Sequence, residues 1–353
     1  MLTTETSSTA LDRYRFGAVE VRSDVPLPGY REYWTAAGRS RILVNVRRDT
    51  DPPAPGHLLG RHKGRSGLLE IRETADRGRV VVAEGLTAFT ITADGAVRWH
   101  LPGSRDPGVD DADFLVSSIV PWAVATEPGT AVVHAACLAT SRGAVLLCGP
   151  SGVGKSTLST ALHQDLGWHL LGDDAALIRV DNGLPVALSC SREVRLWADS
   201  GELLGMGAGV LLPRYQSKSR HPVAGPADKP VEVGFVVRLL DPDTDSLAEP
   251  PGVRHAVPSP TDGVRMTRLR AGDGIAMLRL RLMRLPSTSI TETARDFTLL
   301  TAWGRRIAFS TLCYPRTADA LPAAVQAIAH LISEAERRPL TSELRISATG
   351  RSS

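Results

Sequence analysis

Lysine is scarce in this chain. Of 41 basic residues only Lys63, Lys155, Lys218 and Lys229 are lysines, and the rest are arginines. Each remaining lysine therefore stands out. Net charge is also small, at +3 from 41 basic against 38 acidic residues, which does not call for a nucleic-acid partner. Aromatics are 5%, so a core must be built from aliphatic side chains, and the 42% of apolar residues suffices for one. The four cysteines, Cys137, Cys148, Cys190 and Cys313, form no CxxC pair, and a chain of 353 residues needs no covalent staples. A reduced, cytoplasmic protein is expected. The N-terminus has no basic segment followed by an apolar stretch, so no signal peptide is expected. No run reaches 18 apolar residues, so no membrane span is expected either. What is plentiful is turn chemistry. The 32 Gly and 24 Pro argue against a helical bundle or coiled coil.

The length suits one large domain or two smaller ones. Tyr14 to Val21 reads as extended, with a turn at Pro26-Leu27-Pro28-Gly29, and Arg41 to Val46 reads as a strand. Residues 50–67, rich in Pro, Gly, His and Arg, read as a loop. A β meander follows from Gly67 to Trp99, with Asp94-Gly95 marking a hairpin. This predicts a small β-rich domain at 12–104, a linker at 102–113 and an α/β domain at 113–336. In the second part we expect a helix over 114–125, strands over 131–135 and 143–148, and a helix from Thr157 to Leu166. An extended run from Trp168 to Leu171 continues into 175–180. A short helix is expected near Gly201 to Gly205, a mobile polar loop over 212–230, a buried strand over 231–240 and a linker over 241–261. Residues 276–285 alternate Leu with Arg and fit helix or strand equally, and a helix is expected over 318–336. Both chain ends read as loose.

The decisive segment is Gly149-Pro150-Ser151-Gly152-Val153-Gly154-Lys155-Ser156-Thr157, which matches GxxxxGK[ST] in full. Its glycines let backbone N–H groups wrap phosphate oxygens, because a Cβ would block the approach. The next helix turns its positive end toward the phosphates. Lys155 can reach the β- and γ-phosphates, and Ser156 can offer a hydroxyl to Mg2+. Gly149, Ser151, Gly152, Val153, Gly154, Lys155, Ser156 and Thr157 are thus the candidate nucleotide cradle. Asp173-Asp174 closes the next apolar run. Two adjacent carboxylates at a strand end need a cation or hydrogen bonds, and a carboxylate not spent on metal could take a proton from an acceptor hydroxyl. His134 lies on the apolar run just before the loop strand and reaches the same sheet end if the two strands are neighbours. No LSGGQ-like segment is present, which speaks against an ABC-type ATPase.

In this order, His134, Gly149 to Ser156 and Gly172-Asp173-Asp174 resemble the HPr kinase/phosphorylase superfamily. More narrowly, the chain resembles the HPr-kinase-like branch that includes lasso-peptide precursor serine kinases. The opening Phe16 to Pro28 and the run Glu193-Val194-Arg195-Leu196-Trp197 agree with that branch. The resemblance implies an α/β P-loop core with a mixed sheet, of the kind shared with ATP-type phosphoenolpyruvate carboxykinases, behind a small β-rich domain. It implies an ATP- and Mg2+-dependent serine kinase acting on a peptide or small protein, a ribosomally made precursor peptide above all. Catalytic roles would fall on Asp173, Asp174, His134 and Lys155, and metal ligation on Ser156, Asp173, Asp174 and Glu193. Which aspartate is the base stays open. Arg195, Lys218, Arg220 and Lys229 become candidates for touching phosphate or substrate. The glycines that follow Arg195 in the bifunctional enzymes are absent, so phosphorylase activity is not expected. A homo-oligomer is compatible with the resemblance. Two other readings stay open: a small-molecule hydroxyl kinase of the same fold, and a nucleotide-dependent binding or maturation factor that transfers nothing.

Overall fold

The computed structural model describes residues 11–35, 42–64, 67–191, 193–212, 214, 217–223, 229–242, 256–257, 263–285 and 290–334. The chain ends, expected to be loose, lie outside these residues, as does most of the 241–261 linker. The first hundred residues build an eight-stranded sheet from β1 (Asp12–Phe16), β2 (Val19–Ser23), β3 (Ile42–Asp49), β4 (His57–Gly64), β5 (Gly67–Glu73), β6 (Arg79–Ala83), β7 (Ala88–Ile91) and β8 (Val97–His100). Its order is β1-β2-β3-β8-β7-β6-β5-β4. The meander from Gly67 to Trp99 forms as its alternation predicts. The 50–67 stretch is not all loop, because His57–Gly64 pairs with β5 as an edge strand. An edge strand has one free side and little to bury, so its Gly, His and Lys content hides it from a periodicity reading.

Helix α1 (Val109–Phe114), a π-type turn over Leu115–Ile119 and α2 (Val120–Val124) form one helical stretch. It starts five residues before the expected Phe114. Its buried Ala112, Leu115, Ile119 and Val124 share a core with Phe89 and Trp99 of the first sheet. Val132, Leu177 and Leu188 from the second sheet enter the same core.

The second sheet is mixed, curled and ten-stranded. Its strands are β9 (Thr130–Val133), β10 (Ala135–Thr140), β11 (Gly143–Cys148), β12 (His169–Gly172), β13 (Ala176–Asp181), β14 (Leu184–Leu188), β18 (Val231–Leu240), β19 (Ala256–Val257), β20 (Arg265–Arg268) and β21 (Ala308–Cys313). Helix α3 (Lys155–Leu166) follows β11, buries Leu158, Ala161 and Leu162, and ends where Gly167 turns left-handed at φ 67°. Strand β15 (Glu193–Trp197) pairs with β17 (Lys218–Pro222), which also carries β16 (Val210–Leu211). Helix α4 (Ala198–Leu203) follows β15 directly. Later come α5 (Ala271–Arg279), α6 (Ile290–Gly304) and α7 (Leu321–Glu334). Among the described residues no helix is long and apolar enough to cross a membrane.

Topology brings the motifs together. Strands β11, β18 and β21 run parallel, so their C-terminal ends lie at one sheet edge. Strand β10 is antiparallel to both β11 and β12, which makes those two parallel as well. The loop after β11, the carboxylates after β12 and the start of β10 therefore share that edge, where α/β sheets bind ligands.

Three expectations are corrected here. The run expected at 131–135 breaks at His134, where β9 ends and β10 begins. The run at 175–180 does not continue β12. Asp174 takes a left-handed φ of 61°, and the chain leaves as β13 to pair with β9 and β14. A Cβ at Gly172 would meet the Ala175 carbonyl oxygen at 2.2 Å, so this kink requires glycine. Thirdly, Lys218 and Arg220 are not in a mobile loop but on β17, hydrogen-bonded to β15.

Candidate active site

The loop from Gly149 to Gly154 and the first turn of α3 form the floor of a cleft of about 1090 Å³. Gly152 and Gly154 have φ of 85° and 97°, a region where L side chains are strained. One wall carries Trp197, Ser200, Leu203 and Lys218, and the other Asp241, Tyr314, Pro315 and Leu321. The volume is at the upper end of that of small-molecule sites, which run to about 1000 Å³.

Lys155 is buried, and its ammonium donates to the carbonyls of Gly149 and Pro150 at 3.2 and 3.0 Å. Burial lowers its pKa, against the pull of Asp174 and Asp173. Val153 is buried in the core beneath the loop, whereas Ser151 is exposed. The Thr157 hydroxyl donates to Ser200 at 3.1 Å and ties α3 to α4.

The two aspartates are not equivalent. Asp173 is buried, and both carboxylate oxygens are held. Ser156 Oγ donates to one at 2.9 Å, and the Arg195 backbone N–H donates to the other at 2.9 Å. Burial, and then the Asp174 charge beside it, push its pKa up to about 6. Asp174 is partly exposed, and Lys218 Nζ donates to its carboxylate at 3.2 Å. Burial opposes its ionisation, but Lys218, His134, Arg195 and Lys155 outweigh that and hold its pKa at about 2. The pair titrates as a unit, with one group ionised well before the other.

His134 Nδ1 lies 2.9 Å from the backbone carbonyl of Asp174. A carbonyl only accepts, so the proton sits on Nδ1 and leaves Nε2 with the lone pair. Burial and the Lys155 charge lower the pKa of this ring, which keeps it neutral near pH 7.

Strand alternation in Glu193–Trp197 puts Val194 and Leu196 in the core and Glu193, Arg195 and Trp197 on the opposite face. The structure gives Glu193, Arg195 and Arg220 a different setting from the expected one. Arg195 grips Asp113 at 2.7 and 3.3 Å and also reaches Tyr30 and Glu193. Glu193 accepts from Tyr33 at 2.8 Å and Arg220 at 3.1 Å. Arg220 donates to the Gly29 carbonyl at 2.7 Å and lies over the Tyr30 ring at 4.2 Å. Both Glu193 oxygens are thus spent within a buried network that joins the first sheet to β15 and β17, and both guanidinium groups face into it. A buried carboxylate needs such partners, and packing accounts for these contacts, while Arg195 also lines the cleft. Lys218 reaches Asp174 and lies 5.9 Å from the Trp197 ring centre, while Lys229 is exposed.

This network yields a prediction. Arg195→Met leaves Asp113 and Glu193 short of a buried cation and should cost about 3–5 kcal/mol of stability. Urea unfolding measures it, and a loss below about 1 kcal/mol would contradict the assignment. Sequence reasoning missed Asp113, Tyr30 and Tyr33. Asp113 and Arg195 are 82 residues apart, and no local pattern marks such a pair.

The donor set fits Mg2+ better than a metal that needs a full protein cage. Among the described residues no group of three or more His, Cys, Asp or Glu could hold an ion. Ser156 Oγ and an Asp173 oxygen, 2.9 Å apart, supply the hydroxyl and carboxylate that Mg2+ takes beside phosphate and water.

Comparison with known proteins adds little beyond this geometry. No curated protein matches the chain. A solved structure, the Hpr(Ser) kinase/phosphatase from Coxiella burnetii, aligns at 16% identity over 58% of this chain and 98% of that chain. Its TM-score of 0.29 is too low to carry weight. A family model described as an AAA domain matches residues 145–199, the segment that holds the phosphate loop, the aspartates and the Trp197 strand.

Proposed function

We propose that the chain is an ATP- and Mg2+-dependent phosphotransferase that moves the γ-phosphoryl group to a serine hydroxyl of a peptide, a ribosomally made precursor peptide above all. The observation that carries this reading is the inequality of the two carboxylates beside the loop. Asp173 is enclosed and bonded to Ser156, while Asp174 is open to the cleft and charged.

In this reading Ser156 and Asp173 hold Mg2+, which when bound screens the phosphate charge. The loop N–H groups and the α3 N-terminus cradle the phosphates. Lys155 leaves the Gly149 and Pro150 carbonyls for the phosphate oxygens. Asp174 accepts the proton of the acceptor hydroxyl as the new O–P bond forms. Phosphoryl transfer through a loose transition state needs positioning more than a strong base, so a carboxylate of low pKa suffices. The His134–carbonyl bond and Lys218 orient Asp174. Trp197 and Leu203 supply an apolar shelf beside it for the acceptor chain.

The test is transfer from γ-labelled ATP to a serine-containing precursor peptide and, separately, to free serine. Label on the peptide, lost with Lys155→Met, supports the reading. Label confined to the small molecule would correct the acceptor class. Label released only as inorganic phosphate would defeat the reading.

Asp173 also predicts a pH signature. Its raised pKa favours the protonated form in the fold. Its stabilising contribution is full below about 4 and is lost as pH rises through about 6. Without Mg2+, Asp173→Asn should therefore melt higher than wild type at pH 7.5, and the gap should narrow as pH falls through about 6. Saturating Mg-ATP should reverse the order. Parallel melting curves across that range would contradict the assignment.

A further inference from the structure

Asp174 borders a second cavity, of about 60 Å³, where the two large sheets and the helical stretch meet. The first sheet walls it with Phe16 and Val19, the helical stretch with Val116 and Val120, and the second sheet with Val132 and Leu177. Val116 is half-buried and belongs to the π-type turn, a rare form found frequently at functional sites. The wall from the first sheet is fixed in place. Ala18 N–H donates to the Ser189 carbonyl at 2.7 Å, and Gly17 turns the chain at φ 60°, where a Cβ would strike that same oxygen.

The buried carboxylates at the polar end of this cavity already have partners. Asp173 accepts from Ser156 and the Arg195 N–H, and Glu193 accepts from Tyr33 and Arg220. The rest of the wall is mostly aliphatic, so the cavity suits carbon better than a polar ligand. Its size sets a limit as well. An apolar cavity of about 150 Å³ admits benzene, so this one suits a branched aliphatic group the size of isopropyl and excludes an aromatic ring. Asp174 and Arg195 line both this cavity and the cleft over the phosphate loop, so the two spaces meet at the Asp174 carboxylate.

We propose that this cavity seats the aliphatic side chain of the residue next to the acceptor serine, with valine fitting best. The inference deepens the peptide phosphotransfer reading and rests on it. Successive side chains of an extended peptide point to opposite faces. A peptide lying across Asp174 with its serine turned to the cleft therefore turns the neighbouring side chain to the cavity. A seated aliphatic group also excludes water from one side of Asp174, which makes the carboxylate more basic toward the serine proton.

The experiment uses the full chain, Mg-ATP and synthetic peptides. Each peptide has a single serine in a glycine-rich frame, with Gly, Val or Phe directly before or after it. Initial rates with γ-labelled ATP give kcat/KM. One buried methylene is worth about fourfold. Val should therefore exceed Gly by about 50-fold on one side of the serine. Phe should fall to the level of Gly or below. Val116→Phe, which fills the cavity, should bring the Val-to-Gly ratio close to one, whereas a general loss of activity would scale both peptides and leave the ratio alone. Should Val116→Phe fail to fold, Val120→Ala decides: the enlarged cavity should move the optimum from Val to Leu, and an optimum left at Val overturns the proposal. It is overturned too if Val and Gly peptides react alike, if Phe reacts as well as Val, or if folded Val116→Phe keeps the ratio. Transfer to every peptide without ranking defeats this seat and leaves the phosphotransfer reading standing. No label on any peptide defeats that reading and the seat with it, so the two failures are distinguishable.

Discussion

Lys155→Met is expected to slow phosphoryl transfer by about 1000-fold while the fold survives. The ammonium is the cation most directly aimed into the loop, and burial makes its charge count for more than it would in water. Methionine keeps most of the stem volume. The loss on the protein side is two hydrogen bonds to carbonyls, worth about 1 kcal/mol each. The melting temperature should therefore not collapse, and a lost rate would not come from unfolding. Single-turnover kinetics with γ-labelled ATP reads the effect, and a rate within about threefold of wild type in the folded variant would remove Lys155 from the reaction.

The second large effect divides the aspartates. Asp174→Asn should lower the transfer rate by about 100- to 10,000-fold and leave Mg-nucleotide affinity nearly intact, because it removes the proposed proton acceptor and leaves the hydroxyl–carboxylate pair of Ser156 and Asp173 in place. Asp173→Asn should act on binding instead. It replaces the buried carboxylate by a neutral amide, so Mg2+ dependence of nucleotide affinity should disappear. The ratio of the two defects separates the roles. Equal loss of binding in both variants would mean that the carboxylates work as one metal site.

Much of this site was legible in the sequence. The GxxxxGK[ST] loop and the Asp173-Asp174 pair are local motifs, and the chemistry proposed for them follows from residue type and spacing. His134 was legible conditionally, since its value depended on whether its strand lay beside the loop strand. The pairing of Ala135 with Cys148 supplies that condition. What was hidden is non-local. The division between the aspartates comes from Arg195 N–H, Ser156 and Lys218, which reach them from 22, 17 and 44 residues away. Arg195 and Arg220 became candidates for phosphate or substrate contact through the resemblance, which says nothing of their partners in this chain. Their carboxylate partners lie in other elements. Strand β17 read as loop because Lys, Ser, Arg, His and Pro carry no apolar alternation. Its pairing with β15 is what orders it. Helix α6 and strand β21 were also unforeseen. The exposed Ile290 and Phe297 blur the amphipathic pattern of α6, and Ser310 and Thr311 interrupt the apolar run of β21.

The most direct measurement is a crystal structure with Mn2+ in place of Mg2+ and a non-hydrolysable ATP analogue, using the anomalous signal of the metal. The account predicts a single metal peak bonded to the Ser156 hydroxyl and the Asp173 carboxylate, with Asp174 off the metal and facing the γ-phosphate across the cleft. A peak bonded to Asp174 instead, or a nucleotide bound with no metal at Ser156, would contradict the division of labour between the two aspartates.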